Sequence, residues 1–586
     1  MLSEAKYAHL RGPIMHDIVI RGGTILDGTG DDAFTGDVAI DAGKLTAVGG
    51  KAGPGKREIV ANGLLVTPGW VDVHTHYDGQ ATWDPVLAPS SWHGVTTILF
   101  GNCGVGFAPV RKEHRSDLID LMEAVEDIPG TALHEGLNWE WESFPDFLDA
   151  LDRMPRTIDI AAQIPHHPLR VYVMGERAIN REAATPEDID TMRRLTEDAV
   201  RAGAFGFTTS RTYSHKTKTG ELVPGHFAEE AELFGIGRAL GAVGRGAFGM
   251  NSDFMDEARE LAWMTKLSKE TGRPVWFLLT DRPTDPERWK RLMTGVHAAR
   301  AEGASITAQV AGRPVGLILG HNTSMNPFTF RPAYRALDHL PAAERWARLR
   351  DPEMRAAILA EPPSEAELNR QGQFIRFVAT RWDRMFVMAG ATPDYEPAPE
   401  KSIAAIAARG NRTPQEVAYD YLIEGEDHFL FFPVVGYVHG DHEQIRQLLV
   451  DPGTLLGLGD GGAHCGQIVD AGLPSYMLSH WARDRKRGPG LPLPQLVKMQ
   501  TSETADFFGF HDRGRLKLGL RADVNVIDFD RLRLHQPEIV RDLPAGGRRL
   551  VQLVDGYRAT LVAGTPVFEN GEDTDARPGR LVRAGR

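Results

Sequence analysis

Short apolar stretches alternating with polar positions open the chain. Asp17-Ile18-Val19-Ile20-Arg21 and Thr24-Ile25-Leu26-Asp27 flank Gly22-Gly23, and Asp37-Val38-Ala39-Ile40 and Leu45-Thr46-Ala47-Val48 flank Ala42-Gly43. A period of two marks half-buried strands, and the glycines mark turns between them. The far end has the same texture: Ala522-Asp523-Val524-Asn525-Val526-Ile527-Asp528 alternates, and Ala559-Thr560-Leu561-Val562 and Val567-Phe568 lead to Asn570-Gly571, a hairpin signal. The pattern predicts one small β-sandwich built from both termini, residues 15–68 and 511–575, with the rest of the chain inserted into it. Residues 1–14 carry no pattern and read as a flexible extension, and the polar tail 572–586 reads as peripheral.

Residues 69–510 carry strand-length apolar runs at 71–73, 96–100, 158–161, 206–209, 247–250, 275–278, 306–309 and 455–458. Helix-period segments, among them 186–202 and 256–271, separate several of them. Repeated β-then-α units predict a parallel sheet, and about eight of them predict a closed TIM-like (β/α)8 barrel. Residues 322–428 are helical, charged and punctuated by proline; they break the rhythm and read as an insertion above the barrel. The fold class is α/β.

Charge and composition narrow the partners. Over 586 residues, 66 Lys+Arg stand against 79 Asp+Glu, a net −13, which argues against a nucleic-acid face. The longest apolar run, Phe429 to Val438, is broken by Pro433 and Gly436 and falls well short of the roughly 20 residues of a membrane span. The N-terminus shows no apolar secretory segment, and the two cysteines, Cys103 and Cys465, cannot make a disulfide framework. The expectation is a cytoplasmic protein acting on a small molecule, without nucleic-acid or membrane partners. A homo-oligomer is left open.

The segment Pro68-Gly69-Trp70-Val71-Asp72-Val73-His74-Thr75-His76 carries the sharpest chemical signal. Side chains alternate along a strand, so His74 and His76 point the same way, about 7 Å apart along the chain. At a barrel mouth two neutral imidazoles can converge on one Zn²⁺-like ion. A bare His-x-His is more often a satisfied structural pair; its place after an apolar strand that leaves the sandwich favours the metal.

This segment resembles the amidohydrolase superfamily, and further motifs are similar to its N-acyl-D-amino-acid deacylase (D-aminoacylase) branch. They are Gly101-Asn102-Cys103-Gly104-Val105-Gly106-Phe107-Ala108-Pro109, Val125-Glu126-Asp127-Ile128-Pro129, Trp139-Glu140-Trp141-Glu142-Ser143-Phe144-Pro145 and Gly203-Ala204-Phe205-Gly206-Phe207-Thr208-Thr209. The likeness is dense over residues 17–206 and returns from 457 to the C-terminus. It implies a TIM-like barrel with a sandwich from both termini, and hydrolysis of a C–N amide bond of a small molecule, an N-acyl (D-)amino acid first of all. It also implies that Cys103 is a metal ligand, in the role a carboxylated lysine plays in other amidohydrolases. Read from the residue alone, Cys103 has two other readings that rank behind the ligand: a buried free thiol, and a nucleophile, which would need a general base within hydrogen-bond reach.

Asp460, in Gly457-Leu458-Gly459-Asp460-Gly461-Gly462-Ala463-His464, matches the family's catalytic aspartate. A carboxylate there can take the attacking water's proton, hand it to the leaving amine, and share in holding the metal. The resemblance places Tyr213 as a binder of the substrate carboxylate, with Arg211 and Arg313 as candidates for bidentate pairing with the same group.

Two positions depart from the family. Its metal-binding histidines on the fifth and sixth barrel strands align with Asn251 and Leu279, and its substrate-binding lysine has no counterpart. The expectation is therefore one divalent ion rather than two, zinc before other metals, on His74, His76, Asp460 and Cys103. His166, His464 and His215 stand as supports or replacement ligands. The alternatives are a single-metal relative acting on a lactone, a cyclic amide or by deamination, and a non-catalytic binding relative.

Overall fold

The computed structural model of the protein describes residues 15–281, 284–371 and 373–585; the extension expected at 1–14 lies outside them. The first strand, His16–Ile25, runs unbroken through Gly22-Gly23. The glycine pair is a bulge rather than the expected turn: the register slips between Ile20 and Gly23, and Gly22 takes φ +65°. Asp37 accepts the Gly22 N–H at 2.9 Å, which fixes the kink. Phe34–Asp41 returns antiparallel and Lys44–Val48 follows, the turn at Ala42-Gly43 lying at positive φ as the sequence suggested.

The two ends of the chain meet where Leu65–Pro68 pairs antiparallel with Val524–Ile527. Tyr557–Val562 and Thr565–Glu569 extend the same nine-stranded sheet. Ile20, Ile40, Val66, Val524 and Leu561 from both ends fill one apolar core.

Eight parallel strands follow the expected runs: Trp70–Asp72, Val95–Phe100, Asp159–Ala162, Gly206–Arg211, Ala247–Ser252, Val275–Leu278, Ile306–Val310 and Thr454–Leu456. They pair in sequence order. The third joins the fourth through Phe205 N–H to Ala162 O, 2.9 Å, and its continuation Ile164–Pro165. The eighth joins the first where Asp460 N–H donates to His74 O at 3.0 Å and His76 N–H donates to Gly461 O at 2.8 Å. The sheet is thus closed, and the C-terminal strand ends carry His74, His76 and Asp460. Helix Pro186–Ala202 starts at a capping box in which Thr185 and Asp188 satisfy each other's backbone N–H groups.

Residues 322–428 are largely helical, and the segments on either side add strands. Val315–Leu319, Phe429–Val435 and Phe386–Met388 form a three-stranded antiparallel sheet with its own core, including Leu319, Phe328, Tyr419 and Phe432. A second unit unseen in the sequence is the hairpin Arg533–Leu543 with Gly547–Asp555. Its Leu550 N–H donates to Cys465 O at 2.6 Å and so braces the loop after Asp460. The tail corrects another expectation. Far from being peripheral, it runs beside the third barrel strand, with Leu581 buried opposite Ile160. Among the described residues no helix is long and apolar enough to cross a membrane.

Candidate metal centre

Just past the first barrel strand, His74 and His76 turn into the barrel. Their ring centroids lie 5.5 Å apart. Asp72 accepts the His74 N–H at 3.1 Å, and Thr75 between the histidines donates its hydroxyl to Leu99 O at 3.0 Å, which sets the alternation. Gly459 makes room for this packing: a Cβ there would lie 2.2 Å from the Asp72 carboxylate.

Three donor atoms, one each from His74, His76 and Cys103, lie within 4.8 Å of one another, and all three residues are buried. Cys103 Sγ is 3.6 Å from His74 Nε2. Asp460 Oδ1 sits 3.5 Å from His74 Nε2 and 3.8 Å from His76 Nε2. The sequence-expected quartet is therefore brought together. Cys103 and Asp460, with His464 nearby, hold positive φ (54°, 44° and 51°), an uncommon backbone state for residues other than glycine.

The electrostatics fit a cation. Burial lowers His74 to about 4 and drives His76 well below the usual imidazole range, so both rings are neutral and can lend a lone pair. Burial, then the fields of Glu126 and Asp460, pushes the Cys103 thiol well up. Asp460 is raised by burial and then by Asp470 and Asp72, and Glu126 by burial and then by Asp460 and Asp78. Acids crowded this way hold their protons unless a positive charge joins them. The donor set of two imidazoles, a thiol and a carboxylate suits zinc.

The fifth and sixth strands bring no histidine. Asn251 lies at the end of Ala247–Ser252, where its amide works against the rise of the Cys103 thiol. Leu279, buried just beyond Val275–Leu278, donates its N–H to Gln309 O at 2.9 Å.

The other expected residues scatter. His166 is committed at both nitrogens, to Thr209 Oγ1 at 2.8 Å and Glu232 Oε1 at 2.9 Å, so it supports the fold and has no lone pair to offer a metal. His464 Nε2 is 3.5 Å from Glu126 Oε2, beside the quartet. His215 is half-buried on Ser210 Oγ at 2.9 Å, and burial lowers it to about 3, so its ring is neutral. Tyr213 is 51% exposed, its ring against His226. Arg211 faces Glu260 at 3.4 Å. Arg313 corrects the expectation of a substrate contact: it is 1% exposed, bonded to Val469 O and Asp470, and stacked 4.0 Å over Tyr395.

Two residues at the site escaped the sequence reading. Gln309 meets His74 Nδ1 at 2.6 Å; its signal was a lone amide in the apolar run Ile306–Val310. Glu126 reaches His76 and His464 from the end of helix Arg115–Glu126. It stands in the Val125–Pro129 motif that marks the family, but at the end of an amphipathic helix nothing distinguishes it from a solvated acid.

Comparison with known proteins identifies the family and the fold. The chain is 27% identical over 629 residues to an uncharacterized protein of Mycobacterium tuberculosis (strain ATCC 25618 / H37Rv), covering 100% of this chain and 98% of that one. It is 25% identical to the D-aminoacylase of Alcaligenes xylosoxydans xylosoxydans and 26% identical to the N-acyl-D-glutamate deacylase of the same organism. These alignments cover 97% of this chain in both cases and 97% and 96% of the relatives. Among solved structures, a D-aminoacylase superposes with a TM-score of 0.63 at 22% identity, covering 97% of this chain and 100% of that one. The N-acyl-D-glutamate deacylase from Bordetella bronchiseptica, complexed with zinc and a phosphonate inhibitor, gives 0.62 at 23% with the same coverage. Both share the fold. The sequence profile of the amidohydrolase family matches residues 57–568, nearly the whole chain, and the protein belongs to that family of C–N hydrolases.

Proposed function

We propose that this protein hydrolyses the C–N amide bond of a small molecule with one divalent metal ion, zinc before others, and that N-acyl (D-)amino acids are the first substrate class to test. The observation that carries the reading is the convergence of His74, His76 and Cys103 donors within 4.8 Å, with Asp460 Oδ1 at 3.5 and 3.8 Å from the two imidazoles. When bound, such an ion polarises the amide carbonyl and makes water acidic enough to attack at neutral pH. Asp460 receives the proton of the attacking water and returns it to the departing amine. His74 and His76, neutral by burial, hold the ion rather than move protons. Asn251 and Leu279, where the deacylase branch has histidines, support one ion rather than two. Arg211, at the end of the fourth strand, is the candidate for a substrate carboxylate. Two free, buried cysteines support a cytoplasmic setting.

Elemental analysis of protein purified without chelators, beside a His74→Ala/His76→Ala variant, tests the centre. About one ion per chain, lost in the variant, is the expected result; equal metal in both proteins overturns it. Asp460→Asn is expected to keep the ion and lose turnover of the best substrate by about 10²–10⁴-fold. Substantial residual turnover removes Asp460 from its role.

A further inference from the structure

We infer that Glu126 is a positioning residue for the metal-binding imidazole of His76, the counterpart of Gln309 at His74. The inference rests on the proposed metal centre. Both rings turn Nε2 toward the same atom, Asp460 Oδ1, at 3.5 and 3.8 Å. Their Nδ1 atoms therefore face outward, and each meets one acceptor. For His74 it is Gln309 Oε1 at 2.6 Å; for His76 it is Glu126 Oε1 at 3.5 Å. Neither His76 Nδ1 nor Glu126 Oε1 has a hydrogen-bond partner among the described residues, although both are fully buried. A carboxylate kept for structure alone bonds its neighbours; this one is left facing an imidazole.

Its placement is over-determined. Glu126, 1% exposed, ends helix Arg115–Glu126, where the dipole disfavours a negative charge, so the local fold alone does not favour it. The next residue, Asp127, leaves the helix at φ 51°. Its carboxylate accepts the Gly466 N–H at 3.0 Å and the Ser324 hydroxyl at 2.9 Å. The His464 N–H donates to Glu126 O, and the other carboxylate oxygen lies 3.5 Å from His464 Nε2. One acidic side chain thus links the strand-one histidine to the loop that carries Asp460. An imidazole that lends Nε2 to a cation becomes a stronger Nδ1–H donor, and a carboxylate facing that hydrogen fixes both tautomer and ring orientation.

The test is zinc affinity of the full-length protein, read by competition with a chromophoric chelator, for wild type and Glu126→Gln. The amide keeps the shape and removes the charge. The expected result is affinity about 10–100-fold weaker, with the visible bands of the Co²⁺-loaded protein unchanged because the ligands are unchanged. Affinity within twofold of wild type overturns the inference. So do shifted Co²⁺ bands, which make Glu126 a ligand. Should Glu126→Gln fail to fold, long-range ¹H–¹⁵N spectra of zinc-loaded wild-type protein decide the point. A protonated His76 Nδ1 is expected, and a bare one overturns the assignment. The two readings fail differently. If His74→Ala/His76→Ala keeps its metal, the centre itself is wrong; if only the Glu126 variant matches wild type, the centre stands and this inference falls.

Discussion

The Nδ1–H of His74 donates to Gln309 Oε1 across 2.6 Å inside the barrel. An amide oxygen only accepts, so this bond places the hydrogen on Nδ1 and leaves the Nε2 lone pair facing Cys103 and Asp460. Gly457, on the adjacent eighth-strand end, allows it: a Cβ there would lie 2.4 Å from the Gln309 amide carbon.

Gln309→Leu keeps the bulk and removes the acceptor, freeing the His74 ring to rotate or change tautomer. Zinc affinity is expected to fall by about 10–100-fold, read by chelator competition, with thermal stability of the metal-free protein little changed. Gly457→Ala is expected to act in the same direction by displacing Gln309. Unchanged affinity in Gln309→Leu removes the orienting role.

Stability toward acid follows from buried histidines away from the centre. His93 bonds Ser475 Oγ and Gln552 O, both at 2.9 Å, and burial lowers it to about 4. In the unfolded chain a histidine titrates near 6.5. Between those values the unfolded state takes up a proton that the folded state refuses. The contribution is complete above about pH 6.5 and is lost as pH falls toward 4. Asp72 and Asp78, raised by burial to about 7 and about 8, act oppositely: their contribution is complete below the unfolded value and is lost as pH rises toward those values. A difference measurement cancels them. Between pH 7 and pH 5, His93→Gln is expected to lose about 2 kcal/mol less than wild type in urea unfolding of the metal-free protein. Parallel pH curves refute it.

The barrel was legible because its strands are buried on both faces and read as apolar runs such as Val275–Leu278 and Ile306–Val310. His74 and His76 were legible because alternation alone puts them on one side of a strand. Glu126 and Gln309 were not, since their meaning comes from partners 50 and 235 residues away, His76 and His74. Arg313 was misread because an arginine near a strand end looks the same whether it meets a substrate or, as here, Asp470 and Tyr395. The tail misled through its polarity: its arginines pair with barrel acids, Arg583 with Asp149 and Asp152.

That tail leads to the last prediction. Asp159, fully buried at the start of the third barrel strand, accepts Arg513 Nη1 at 2.6 Å, Arg521 Nη2 at 3.0 Å and the backbone N–H of Arg580 at 2.8 Å. Beyond it the tail continues as a strand-like partner: Ile160 N–H donates to Arg580 O at 3.0 Å, Val582 N–H to Ile160 O at 2.7 Å, and Ala584 N–H to Gly203 O at 2.9 Å. Leu581, 5% exposed, belongs to the main barrel core. Leu581→Ala is expected to lower stability by about 2–4 kcal/mol through the cavity it leaves. Asp159→Ala is expected to cost about 3–5 kcal/mol, because Arg513 loses a buried counter-charge. Both sites lie toward the N-terminal ends of the strands, whereas His74, His76 and Asp460 lie at the C-terminal ends. Zinc bound per folded molecule should therefore stay at the wild-type level while the urea midpoint falls. A variant that loses zinc affinity without losing stability would show that the tail acts on the centre rather than on the barrel.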